Sequence, residues 1–186
     1  MQVVDTMLHD VKIVRPSRFG DDRGWFAEVF NASKFASAGL PTQFVQDNQS
    51  FSAQGVLRGM HYQLGKPQGK LVRVLSGHIW DVAIDLRRGS PTFGRHVSNE
   101  LSADNGRQLF IPSGFGHLFI TLEADVEVAY KVSSVYVPDA EGGIAWDDPA
   151  IGIVWPLANH PPITSPRDAE LPTLTEFDSP FLFKGA

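Results

Sequence analysis

Apolar and polar positions alternate with a period of two along much of the chain, the mark of strands that bury one face. In "IWDVAIDL" (79–86), Trp80, Val82, Ile84 and Leu86 share one face, and Asp81, Ala83 and Asp85 share the other. In "VEVAYKV" (126–132), Val126, Val128, Tyr130 and Val132 oppose Glu127, Ala129 and Lys131. "KLVRVL" (70–75) places Lys70 with Val72 and Val74 and stops at Gly77. "RQLFIP" and "HLFITL" are further strand candidates, set apart by "PSGFG" and "EAD". Strands at intervals of about 8–12 residues, punctuated by Gly and Pro, predict a sandwich or barrel. One stretch is helical, "NASKFASAG" (31–39), with Asn31 as cap and Gly39 as stop. The proline-rich tail from about residue 147 predicts loops and short turns wrapped on the core. No repeat or linker interrupts the pattern, so residues 1–186 read as a single domain.

Parity raises a chemical question. Lys70 and Tyr130 point with the inward valines. Burying an ammonium costs several kcal/mol or shifts its pKa, unless Lys70 lies at the strand end and reaches water. Tyr130 is equally readable as a core aromatic with a satisfied hydroxyl.

Composition narrows the options. The chain has no cysteine, which excludes disulfides, thiolate nucleophiles and Cys-ligated zinc and fits a cytoplasmic location. No apolar run approaches the ~20 residues of a membrane span, and "MQVVDTMLHD" lacks the pattern of a signal peptide. The net charge of −5 argues against general nucleic-acid binding.

The segment "GVLRGMHYQ" (55–63) sets His61 near a spacing that resembles the cupin barrels, whose first motif runs Gly, His-x-His, Glu, six residues, Gly. Lys70 stands where that glutamate would be, six residues before Gly77, and Gln63 where the second histidine would be. "IPSGFGH" (111–117) matches the second motif and supplies His117. A glutamine is a poor transition-metal ligand and an ammonium repels a cation. The expectation is therefore no metal and no other cofactor.

Six blocks sharpen the likeness: "DDRGWFAE", "QDNQSFSAQGVLRGMHYQ", "GKLVRVLSGHIWDVAIDLRRGSPTFG", "IPSGFGHLF", "AYKVSSVYVPDAEGGIAWDDP" and "SPRDAELPTL". Together, in this order over residues 10–174, they resemble the dTDP-4-dehydrorhamnose 3,5-epimerase family, metal-free cupins of nucleotide-sugar metabolism. The resemblance implies a mainly β, cupin-type jelly-roll barrel with short helical segments. It implies a homodimer with shared sites and a dTDP-4-keto-6-deoxy sugar as substrate. It casts His61 as base, Asp168 as the carboxylate paired with it, Tyr130 as acid on the other face and Lys70 as stabiliser of the enolate oxygen. Arg23, Glu28, Gln46, Asn48, Arg58, His117, Glu141 and Arg167 match substrate-contacting positions, and Phe19 and Phe26 are stacking partners for thymine. Taken alone, Asp168 reads as a turn residue and each arginine as surface. Rival readings are an epimerase of one carbon only, a metal-dependent cupin oxygenase or isomerase, and a non-catalytic sugar-nucleotide binder. "GFGHLF" carries Leu118 where the family commonly has Gly, with an expected effect on pocket shape.

Overall fold

The computed structural model describes residues 1–156 and 161–185. In chain order the strands are β1 (Gln2–Asp5), β2 (Lys12–Arg15), β3 (Arg18–Asp21), β4 (Gly24–Ala27), β5 (Gln46–Ser52), β6 (Leu57–Gln63) and β7 (Lys70–Ser76). They continue with β8 (His78–Asp85), β9 (His96–Ser102), β10 (Gln108–Ile111), β11 (Phe115–Thr121), β12 (Val126–Val132) and β13 (Glu141–Gly143). Two short helices are α1 (Ala32–Ser37) and α2 (Pro166–Ala169). A six-stranded sheet, β1-β2-β10-β7-β12-β5, faces a five-stranded one, β13-β6-β11-β8-β9, and β3-β4 is a separate hairpin. All neighbours within the sheets run antiparallel. This is the cupin-type jelly roll that the sequence predicts.

On the central strands, period-two alternation buries both faces. Val72, Val74, Ile79, Ala83, Leu109, Ile111, Val126 and Val128 meet between the sheets. The opposite face of the five-stranded sheet, with Met60, Val82, Ile84, Leu86 and Leu118, is covered by Ile144, Ile151 and Phe181 of the C-terminal segment. Burying each such aliphatic side chain contributes about 1.5–3 kcal/mol. The six-stranded sheet is covered on its outside by α1, whose Phe35 packs on Val14, Leu71 and Phe110. Asn31 caps α1 by accepting the Lys34 N–H at 3.1 Å, as expected. The tail wraps the core as expected, but it also contains α2, whose cap is Ser165 accepting the Asp168 N–H at 3.1 Å. Pro166 suits the first turn of that helix, where its missing N–H costs nothing.

Candidate active site

Along β7 the interior residues run Val74, Val72, Lys70, and along β12 they run Val126, Val128, Tyr130. The apolar core thus gives way to polar groups at one end of the barrel. There a cavity of about 580 Å³ opens between the sheets. Ten of the residues singled out in the sequence line it: Gln46, Asn48, Arg58, His61, Lys70, His117, Tyr130, Glu141, Arg167 and Asp168.

Arg58 and His61 are three residues apart on β6, so simple alternation would place them on opposite faces. A bulge brings them together. His61 pairs with His117 but Arg58 pairs with Phe119, so β6 holds one residue more than β11 between the two pairs. Gly59 sits in the bulge at φ +119, and a Cβ there would come within 2.5 Å of the His117 carbonyl oxygen and of Leu118. Only glycine lets the two strands approach this closely.

His61 Nε2 lies 2.7 Å from Asp168 Oδ1, across 107 residues of sequence. A carboxylate only accepts, so Nε2 carries the hydrogen and Nδ1 is the free nitrogen. Burial pushes the Asp168 carboxyl up, but its bonds from His61, the Gly59 N–H and Ser165 outweigh this and hold it below the usual carboxylate range. Nδ1 lies 3.7 Å from Glu141 Oε1. Glu141 is itself held by Arg167 Nη1 at 2.5 Å and by the Tyr136 hydroxyl at 2.9 Å.

His117 forms a second pair, with Nε2 2.9 Å from Asp81 Oδ2. Burial holds the His117 imidazole below its ordinary range, against the pull of Asp81. Burial also lowers Lys70, to about 8, with Glu141 and Asp81 working in the other direction. Tyr130 is raised, by burial first and by Glu141 second. His61 stands on the five-stranded sheet and Tyr130 on the six-stranded one, so the two groups enter the cavity from opposite walls.

Gln63 does not point into the cavity. Its amide donates to the carbonyls of Lys66 and Val135 and accepts the Val137 N–H, pinning two loops. Lys70 lies at the strand end but lines the cavity, so the parity reading holds. Leu118 faces the outer cluster under the tail rather than the cavity, which corrects the expected effect on pocket shape.

Four expected residues are not brought to this cavity by the chain itself. Phe19 and Phe26 are exposed on the hairpin, 65 % and 68 %, beside Trp25. Arg23 lies at its turn, paired with Asp21, and Glu28 binds Lys34 and Asn31. The sequence reading missed Asp81, Tyr136 and Ser50. Asp81 had a signal in its parity with Ala83, since that face proves to be the inner one.

Residues 5–176 match the family model described as dTDP-4-dehydrorhamnose 3,5-epimerase. The chain is 48% identical over 171 residues to the dTDP-4-dehydrorhamnose 3,5-epimerase of Pseudomonas aeruginosa, covering 91% of this chain and 94% of that one. It is similar to the crystal structure of the Legionella pneumophila dTDP-6-deoxy-D-glucose-3,5-epimerase in complex with dTDP-4-keto-L-rhamnose, with a TM-score of 0.95, 43% identity and 99% of each chain covered. It is also similar to a 3'-monoepimerase from Streptomyces bikiniensis in complex with dTDP-quinovose, with a TM-score of 0.87, 34% identity, and 92% and 87% of the two chains covered.

Proposed function

The chain belongs to the dTDP-4-dehydrorhamnose 3,5-epimerase family, and on that premise we propose that it inverts C3 and C5 of dTDP-4-dehydro-6-deoxy-D-glucose. The product is dTDP-4-dehydro-L-rhamnose, for dTDP-L-rhamnose biosynthesis. Protons flanking a C4 ketone are acidic because the carbanion delocalises into an enolate. Inversion then needs a base on one face, an acid on the other and positive charge at the oxygen. His61 Nδ1 takes the proton, and Asp168 stabilises the imidazolium through the Nε2 hydrogen. Lys70, as a cation, stabilises the enolate oxygen. Tyr130 delivers a proton from the opposite wall, and burial keeps its hydroxyl protonated at the start of the step. The phenolate left behind regains a proton from solvent, and His61 releases its own, so two such cycles invert two carbons with no net change in the enzyme. The single observation that supports this reading is the placement of His61 and Tyr130 on facing sheets around one cavity.

Gln46, Asn48, Arg58, His117, Glu141 and Arg167 bind the sugar nucleotide, with the guanidinium groups suited to the pyrophosphate. Arg58 has no ion-pair partner among the described residues and is an exposed residue of the cavity lining, which supports that role. The exposed aromatic hairpin supports a homodimer in which Phe19, Arg23, Phe26 and Glu28 serve the neighbour's cavity, the aromatics stacking on thymine. Among the described residues no helix is long and apolar enough to cross a membrane, and a cysteine-free chain suits the reducing cytoplasm. The test is NMR of the 4-keto sugar nucleotide with the protein in D2O. Deuterium entry and inversion at both C3 and C5 are expected. Exchange confined to one carbon would assign the monoepimerase reading instead, and no exchange at either would end the epimerase reading.

A further inference from the structure

Asp81 touches no part of the cavity surface, yet it is hydrogen-bonded to His117, which does. Its side chain is 0% exposed. It lies on β8 in register with Phe119 of β11 and Asn99 of β9. We propose that Asp81 is a positioning residue for the epimerase reaction, fixing the tautomer of His117 without contacting the substrate.

The inference rests on the epimerase reading for the meaning of this effect. Asp81 Oδ2 takes the hydrogen bond from His117 Nε2 at 2.9 Å, whereas Oδ1 is buried with no hydrogen-bond partner among the described residues. Its register partner Asn99 likewise has an unpaired buried Nδ2. A buried carboxylate with one oxygen unpaired is destabilising, so packing does not explain it. Charge does. The acceptor-only carboxylate requires the hydrogen of neutral His117 to sit on Nε2, which leaves Nδ1 as an acceptor. The same charge opposes the effect of burial on Lys70. Around the cavity Lys70 also meets Arg58 and His61 from β6, His117 from β11, Tyr130 from β12, Glu141 from β13, and Arg167 and Asp168 from α2. Glu141 is already engaged by Arg167 and Tyr136, and Asp168 by His61. Glu141 has the larger effect on Lys70, and Asp81 adds to it from behind the cavity lining.

The test is Asp81→Asn, which keeps the shape and an acceptor for His117. Lys70 is titrated through its 13C-labelled ε-carbon and His117 through its ring 15N shifts, in protein without substrate. Removal of one nearby opposite charge should lower the Lys70 midpoint by roughly one pH unit and mix the tautomers of His117. The alkaline limb of kcat for epimerisation should move down with the lysine. A variant that melts earlier but leaves both titrations unchanged would show a merely structural role and overturn the proposal. Should the variant fail to fold, the unmodified protein still decides, because an Nδ1–H tautomer at His117 overturns it as well. These spectra need no turnover, so an inactive but correctly titrating protein would sink the epimerase reading and leave the electrostatic role of Asp81 standing.

Discussion

Two histidines, each paired with an aspartate, stand side by side in one sheet. His61 and His117 are direct partners across β6 and β11, and each gives its Nε2 to a carboxylate. Their surroundings differ. The His61 side chain is 24% exposed and its Asp168 6%, whereas His117 is 7% exposed and Asp81 not at all. The first pair joins a core strand to a helix of the C-terminal segment. The second lies wholly within the sheet. The contrast suits the same two residue types to different work: the more exposed ring can gain and lose a proton, whereas burial disfavours the charged form of the other, which still lines the cavity.

The largest test of that contrast is His61→Asn against His117→Asn. Loss of the base should remove deuterium exchange at both carbons, a fall of ~10²–10⁴-fold. His117→Asn should retain exchange and act mainly on KM. Equal abolition in both variants would erase the distinction. Next comes Tyr130→Phe, which takes the acid from the wall opposite His61. Exchange should persist at a reduced rate while inverted product falls by ~10²-fold, and full inversion in this variant would place the acid elsewhere. Asp168→Asn follows. It leaves the imidazole but weakens a charge-assisted bond, and kcat should drop by roughly 10–100-fold. A loss as large as that of His61→Asn would mean that Asp168 does more than orient and stabilise the ring. The smallest effect is expected from a chelator. Two adjacent histidines invite a metal, but both Nε2 atoms are engaged by carboxylates and Lys70 adds a positive charge nearby. Turnover should survive exhaustive chelation, and stoichiometric metal with chelator-sensitive turnover would contradict this.

The two pairs were unequally legible in the sequence. Parity along "KLVRVL" and "VEVAYKV" is enough to turn Lys70 and Tyr130 inward, because alternation is a local property of the backbone. The same rule misplaces His61 relative to Arg58, since it assumes an unbroken ladder and Gly59 adds a residue. Asp168 came only from the family resemblance: a local pattern carries no information about a partner 107 residues away, and its Pro-flanked setting reads as a turn. Asp81 was within reach of parity, but alternation alone does not say which face of that strand is the inner one. The covering tail, which buries that apolar face from outside, is what makes the polar face the inner one. The hairpin residues Phe19, Arg23, Phe26 and Glu28 show the reverse case, matched by motif yet outside the cavity of their own chain.

The position of α2 imposes an order of assembly during synthesis. A nascent chain that has emerged through β13 holds every barrel strand, with Lys70, Tyr130 and the complete His117–Asp81 pair already encoded in it. It lacks Asp168, and it lacks the Phe181 that closes the apolar outer face of the five-stranded sheet. The proposed proton-transfer pair and the seal on the sheet are completed together, by the segment that follows the barrel strands. On the proposed mechanism, catalytic competence is in this way tied to synthesis of that segment, and a product interrupted before it would be both inert and adhesive, a ready target for the cell's quality control.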